Sequence, residues 1–407
     1  MKKNLLLLHL ESLNVLNYRM NPDLFPALKK IEKQCIVFDH YYSTATSTLM
    51  VIADLLYGGM KLYEVCDSLD FIPEEYCYSS SLFDDLKEQG YDNGIYIYMD
   101  GSDHESAEKR HIAGFDNQME LIHDYSEYVN AFKQKMSVQP FALMACNYIS
   151  NLSLNCYVDV NSYGLDMDYW EAGYRCMDRC CEDLLRLLEE KNLMDNTIIV
   201  LYGDHGDDYW EHSAHGGLAH AIEPNNLLIH TPLMIWDGIH RGEPQHEQRL
   251  IQTSDLREMI SSLLCGKTIE NLPNRKYAIS RNAYAAQPTR TESFNKAYSV
   301  TEGRYLLMVS IKGLEMYDTK MDPACQNNLL RFFIYENGIL KSNEKNVESY
   351  RFHFTSFWNS REQRILRQKF YELSAVLYQK TLELYMAGER DERDMLDEMN
   401  FSEIAYV

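Results

Sequence analysis

The stretch Thr197-Ile198-Ile199-Val200-Leu201-Tyr202-Gly203-Asp204-His205-Gly206 reads as a strand, apolar on both faces, that ends in a carboxylate, an imidazole and a glycine. A run without polar alternation marks a strand covered on both sides, as in a parallel sheet between helical layers. Runs of the same kind recur at Asn4–Leu10, Gly94–Tyr98, Phe141–Asn147 and Pro232–Trp236. Helical patterns separate them. Asn21-Pro22 starts a helix predicted over Asp23–Lys33. Tyr169–Lys191 carries Leu184, Leu185, Leu187 and Leu188 between charges, and Ser254–Leu264 is a third. The alternation predicts the α/β class, with a doubly wound, mostly parallel sheet.

After about residue 270 the pattern changes. Lys276–Ser280, Ala297–Val300, Arg304–Val309 and Leu314–Tyr317 are short strand candidates between turns, which predicts a small antiparallel sheet. Beyond residue 330 the chain reads as polar and helical. Ser360 with Gln363 forms a capping box, and Leu366, Phe370, Leu373, Leu377 and Leu384 form one apolar stripe before Gly388. The expected organisation is a catalytic α/β domain over 1–270, a small antiparallel subdomain over 271–330 and a helical extension over 331–407. The stripe docks either on the body or on a second copy of the chain, as a homo-oligomer surface. The charged tail Glu389–Glu398 reads as a solvated face.

The chain has 407 residues, 45% of them hydrophobic and 25% charged, so it can build a core. Its formal charge is 39 − 61 = −22. That excludes nucleic acid and an anionic membrane surface as main partners, since both need a basic face. No apolar run approaches the ~20 residues of a membrane helix. Met1-Lys2-Lys3 and Leu5–Leu8 imitate a signal peptide, but the run ends at Glu11 with no small-residue cleavage site, so a cytoplasmic location is expected. The ten cysteines are scattered without a Cys-x-x-Cys pair and read as buried free thiols. Cys176, Cys180 and Cys181 fall on one helix as packing residues.

In an open parallel sheet, ligands bind at the carboxyl ends of the strands. Glu11 follows the first strand, and Asp204 and His205 follow Thr197–Tyr202. Two carboxylates and an imidazole make a mixed O/N site for a divalent ion. Phe38-Asp39-His40-Tyr41-Tyr42-Ser43-Thr44-Ala45-Thr46-Ser47-Thr48 reads as a hydroxyl-rich loop entering a helix over Leu49–Tyr57. A hydroxyl at a helix N-terminus can be activated by a metal, but such residues are also ordinary caps. Periodicity does not choose among Thr44, Thr46, Ser47 and Thr48.

Over most of its first 330 residues the chain resembles the sulfatase-like branch of the alkaline phosphatase superfamily. Asn4 through Glu11-Ser12-Leu13 looks like that family's first strand and metal motif, and Phe38 through Leu55-Leu56-Tyr57-Gly58 like its nucleophile loop and helix. Leu193 through Asp204-His205-Gly206 is similar to its second metal strand, and Glu211-His212 and Thr231-Pro232-Leu233 continue the match. Gly303-Arg304-Tyr305 and Glu315 through Asp318, Asp322-Pro323 and Asn327-Asn328-Leu329 look like its C-terminal subdomain. Counted back from Gly58, the nucleophile position falls on Thr48.

The resemblance implies one divalent metal ion held by Glu11, Thr48, Asp204 and His205, with Mn²⁺ or Zn²⁺ ahead of Mg²⁺ or Ca²⁺. His212, His215 and His220 lie in the loop after the second metal strand, where His215 or His220 could bind the phosphate, protonate the leaving group or complete a second metal site, the alternative being plain surface histidines; Asn151 and Lys61 are weaker substrate candidates. Asn151 stands where the family usually has a substrate-binding His. Thr48-Leu49-Met50-Val51-Ile52 lacks the Pro and Arg of the sulfatase Cys/Ser-x-Pro-x-Arg motif, and oxidising threonine would give a ketone rather than formylglycine. Glu11-Ser12, a Thr nucleophile and Asp204-His205 are closer to lipoteichoic acid synthases and phosphoethanolamine transferases. The expected activity is therefore that of a soluble phosphotransferase or phosphodiesterase acting on a small-molecule or glycan phosphate ester. The alternatives are a sulfuric ester hydrolase and a non-catalytic binding protein.

Overall fold

The computed structural model describes residues 2–59, 80–98, 119–148, 169–209, 211, 218–219, 223–268, 273–282, 297–310, 312–343, 360–387 and 401–405. Its strands, in chain order, begin with β1 (Asn4–Leu10), β2 (Ile36–Tyr42), β3 (Asp92–Tyr98), β4 (Met119–Ile122), β5 (Phe141–Asn147) and β6 (Thr197–Gly203). A two-residue ribbon follows, β7 (Asp208–Tyr209) with β8 (Leu218–Ala219), then β9 (Leu233–Trp236) and β10 (Gln245–Gln252). Eight of these make one sheet in the order β10-β2-β9-β6-β1-β5-β3-β4. Its pairings are parallel except those of β9, which runs antiparallel to β2 and β6.

The helices are α1 (Val15–Met20), α2 (Pro26–Glu32), α3 (Thr48–Tyr57), α4 (Leu82–Glu88), α5 (Tyr125–Lys135), α6 (Tyr169–Glu190), α7 (Asn226–Ile229) and α8 (Leu256–Leu264). Side chains of α2, α5 and α6 pack on one face of the sheet, and those of α3, α4 and α8 on the other. The period of two along a strand sorts β1 accordingly. Leu6, Leu8 and Leu10 enter the first layer, while Leu5 and Leu7 enter the second. The doubly wound α/β expectation holds.

A second sheet, β11 (Ala278–Arg281), β12 (Tyr298–Thr301), β13 (Tyr305–Ser310) and β14 (Gly313–Asp318), is antiparallel throughout. The hairpin β15 (Phe333–Glu336) and β16 (Ile339–Ser342) and helix α9 (Ser360–Ala387) complete it. Val300, Leu307, Leu330, Phe333, Leu366, Phe370, Leu373 and Leu377 lie in one buried cluster, so the small sheet, the hairpin and α9 share a core across residue 330. The stripe on α9 is thus covered by its own chain, which leaves those four α9 side chains nothing to offer a second copy. The side chain of Leu384 and the tail 389–398 lie outside the described residues.

Three expectations need correction. The helix read over Asp23–Lys33 is broken into a 3₁₀ turn at Pro22–Leu24 and α2 from Pro26. Pro26 disfavours a helical residue before it, and Phe25 sits at φ −125°, ψ 46°. The segment from Phe38 is strand β2 as far as Tyr42, because β10 and β9 flank it. Beyond residue 330 the chain is not simply helical. Asn337-Gly338, with φ of 50° and 76°, makes the tight turn of a hairpin. Gln363 reaches the hairpin, its Oε1 accepting the Ser342 hydroxyl of β16 at 2.9 Å.

The two sheets meet at a buried ion pair. Arg281 Nη1 of β11 donates to Asp54 Oδ2 of α3 at 2.9 Å and Nη2 to Oδ1 at 3.2 Å, with the side chains 3% and 0% exposed. The Arg281 backbone N–H donates to Thr44 O at 3.1 Å, and Thr46 N–H donates to Arg281 O at 3.2 Å. Removing one partner leaves an uncompensated buried charge. Asp54→Asn should therefore lower unfolding stability by about 3–5 kcal/mol, read as a drop in the urea midpoint. A midpoint equal to that of the wild type would show that the pair does not tie the sheets together.

Candidate metal and nucleophile site

The site grows from the register of β1 with β6. His9 lies opposite Tyr202 and Leu10 opposite Gly203, so the residues that follow, Glu11 and Asp204, leave neighbouring strand ends together. Leu5 and Leu7 face the layer that contains α3, and alternation turns His9 and Glu11 the same way. On β6 the same holds for Val200, Tyr202 and then Asp204.

Two local features shape the turn after β1. Ser12 adopts a left-handed conformation, φ 57°, uncommon for a residue with a Cβ. Its carbonyl accepts the Tyr174 hydroxyl of α6 at 2.8 Å, and its N–H donates to Asp204 Oδ1 at 3.0 Å. After β6, a Cβ on Gly206 would lie 2.0 Å from Leu227 O, so only glycine lets this loop pass α7. The third contributor is α3, which begins at Thr48 after the extended Ser47.

Thr48 Oγ1 donates to Glu11 Oε1 at 3.1 Å and lies 3.1 Å from His205 Nε2. His205 Nδ1 is 3.0 Å from Gly206 O, which as an acceptor fixes the proton on Nδ1 and leaves Nε2 as a lone pair facing Thr48. Periodicity left the hydroxyl open among four residues and the resemblance pointed to Thr48, which the structure brings to the two strand ends. Glu11, Asp204 and His205 are fully buried and Thr48 is 7% exposed. His212, His215, His220, Asn151 and Lys61 lie outside the described residues.

One member of the site was not singled out from the sequence. His9 Nε2 lies 2.8 Å from Glu11 Oε2 and 3.5 Å from Asp204 Oδ2. Its signal was a polar residue in an otherwise apolar strand, two positions before Glu11 and thus on the same face. Burial opposes a charge on His9, but Asp204 and Glu11 override it and raise its pKa to about 10. Burial likewise opposes ionisation of Asp204, yet His205 and His9 hold its carboxyl well below the usual range.

His9, Glu11 and Asp204 offer donor atoms all within 4.8 Å of one another, a separation a single ion can bridge. Asp204 Oδ2 is buried and accepts no well-formed hydrogen bond. A buried carboxylate oxygen left in that state fits a cation. Carboxylates with imidazoles suit a divalent ion of borderline softness. In the loop after β6, burial and the neighbouring Asp208 raise the Glu211 carboxyl to about 7.

Residues 166–266 match the family model for sulfatase, a stretch that takes in β6, Asp204 and His205 but not Glu11 or Thr48. No curated protein matches the chain. Among solved structures, BT1596, a 2-O GAG sulfatase, is similar at 14% identity with a TM-score of 0.56, over 87% of this chain and 91% of that one. BT33336S-sulf, from glycosaminoglycan metabolism of Bacteroides thetaiotaomicron, is similar at 12% identity with a TM-score of 0.56, over 81% and 96%. A protein in the alkaline phosphatase superfamily from Vibrio parahaemolyticus reaches 16% identity with a TM-score of 0.52, over 85% and 84%. The fold is that of the alkaline phosphatases and sulfatases.

The two carboxylates make a prediction for the chelator-treated protein. The folded pKa of His9, about 10, lies above its ordinary value of 6.5. The stabilisation it brings is full below pH 6.5 and is lost as pH rises towards 10. The stability difference between wild type and His9→Gln, followed by urea unfolding, should shrink across that interval. A difference independent of pH would refute the charge pairing.

Proposed function

We propose that the chain is a metal-dependent esterase of the sulfatase fold in which Thr48 is the nucleophile and phosphoryl transfer is the reaction. The observation that carries this reading is Thr48 Oγ1 at 3.1 Å from both Glu11 Oε1 and His205 Nε2, at the start of a helix. A divalent ion held by Glu11, Asp204, His205 and the Thr48 oxygen would supply Lewis-acid charge that acidifies the hydroxyl and polarises a phosphoryl oxygen.

The chain's own residues do the rest. Glu11 and His205 orient the Thr48 hydroxyl, and Glu11 Oε1, which accepts it, receives its proton as Oγ1 bonds to phosphorus. The alcohol of the ester departs in line with the attack, and a phosphothreonine results. Water or an acceptor hydroxyl then attacks the same phosphorus and frees Thr48. The first amides of α3, to which Ser47 offers no side-chain cap, point the helix N-terminus at the site and can donate to phosphoryl oxygens. The substrate is a small-molecule or glycan phosphate ester. No described helix is long and apolar enough to cross a membrane.

A second reading is sulfate ester hydrolysis, favoured by the sulfatase family match and by neighbours that include a GAG sulfatase. Against it stands the Thr48-Leu49-Met50-Val51-Ile52 segment, which cannot yield a formylglycine. The two are separated by turnover of bis-p-nitrophenyl phosphate, p-nitrophenyl phosphate and p-nitrophenyl sulfate with Mn²⁺ or Zn²⁺. Phosphodiester turnover should exceed sulfate turnover, and Thr48→Ala should reduce it by about 10³-fold or more. Sulfate turnover in excess would support the second reading, and activity that survives in Thr48→Ala would remove Thr48 as nucleophile.

A further inference from the structure

The donor set around Asp204 holds one more nitrogen than the resemblance implies. Asp204 Oδ2 lies 3.5 Å from His9 Nε2 and 3.3 Å from His205 Nε2, so both imidazoles converge on the carboxylate oxygen that accepts no well-formed hydrogen bond. The circuit closes through Thr48 Oγ1, 3.1 Å from His205 Nε2 and 3.1 Å from Glu11 Oε1, and through Glu11 Oε2, 2.8 Å from His9 Nε2. The donor atoms of His9, Glu11 and Asp204 all lie within 4.8 Å of one another, and His205 Nε2 joins them through Asp204 Oδ2.

His9 is also held as a ligand would be. Its Nδ1 is 3.0 Å from Tyr202 Oη, and Tyr202 is fully buried beside it on β6. With the Nδ1 proton donated to that hydroxyl, a cation that displaces the Nε2 proton would find the ring already oriented by its outer hydrogen bond, as a metal-bound histidine is. The His9 ring packs edge-on against Tyr202 at 5.3 Å and Tyr148 at 6.3 Å, which leaves it little freedom to turn away.

We infer that His9 is a metal ligand alongside Glu11, Asp204 and His205, and that the two imidazoles make the site select Zn²⁺ over Mg²⁺ and Ca²⁺. The inference rests on the metal-dependent reading of this site. Mg²⁺ and Ca²⁺ take oxygen ligands almost exclusively, whereas imidazole nitrogen suits Zn²⁺. A site with two nitrogens among its protein donors therefore discriminates by ligand chemistry rather than by size.

The test uses the full chain, stripped with chelator and titrated calorimetrically with Zn²⁺, Mg²⁺ and Ca²⁺, in wild type and in His9→Gln. The wild type should bind one Zn²⁺ far more tightly than Mg²⁺ or Ca²⁺. His9→Gln should weaken Zn²⁺ binding by about 100-fold or more while narrowing its advantage over Mg²⁺. X-ray absorption of the zinc-loaded wild type, which needs no variant to fold, should show the outer-shell scattering of two imidazoles. A single imidazole, or unchanged Zn²⁺ affinity in His9→Gln, would overturn the inference and leave the metal-dependent reading standing. Wild-type protein that binds no divalent ion would overturn both.

Discussion

The parallel pairing of β1 with β6 is the constraint on which the rest of the site depends. Its register, from Asn4 opposite Thr197 to Leu10 opposite Gly203, puts the strand ends level. Because side chains alternate with a period of two, that register sends His9, Glu11, Tyr202 and Asp204 to one face. A slip by one residue would send them into the apolar layer of α2, α5 and α6. The leucines that flank His9 hold the register, since Leu6, Leu8 and Leu10 on one face and Leu5 and Leu7 on the other are all buried. The carboxylates are thus placed by apolar packing, and their own mutual repulsion is offset by the imidazoles between them.

The Thr48 side is built differently. Thr48 does not sit on a strand of the main sheet. It begins a helix that the small sheet holds from below. Arg281 reaches Asp54 on α3, and its backbone brackets Thr44 and Thr46 with reciprocal hydrogen bonds. Ser280 donates its hydroxyl to Ser43 O in the same loop. A unit remote in sequence therefore fixes the loop that presents Thr48. The small sheet is in turn covered by α9, whose Phe370 and Leu373 share its buried core.

The central sheet was legible because its strands are short apolar runs covered on both faces, and Asn4–Leu10 and Phe141–Asn147 were read to the residue. The small sheet was legible from its turns. Strand β2 was hidden, because Asp39 and His40 break its apolar run and their half-buried outward positions look like loop chemistry. The hairpin after residue 330 was missed although its signals are local, with Phe333-Ile334-Tyr335 and Ile339-Leu340 on either side of the Asn337-Gly338 turn. At the site, Glu11, Asp204 and His205 were legible as polar groups at strand ends. His9 was not, because it lies within the strand, and its role depends on register with β6, which no local window contains.

The charge of the chain sharpens what the site must do. At −22 overall, the protein repels an anionic ester at long range, and salt limits that repulsion to about 8 Å at physiological ionic strength. Inside that distance the sign must reverse. Glu11 and Asp204 alone would make matters worse, since both are buried where an uncompensated carboxylate is costly. His9, held protonated between Asp204 and Glu11, stands against them, and the amides at the start of α3 add partial positive charge. Two imidazoles against two carboxylates bring the cluster at most to neutrality. A site of this composition becomes attractive to an anion only when a further positive charge enters it, and the buried oxygen of Asp204 is where the structure leaves room for that charge to act.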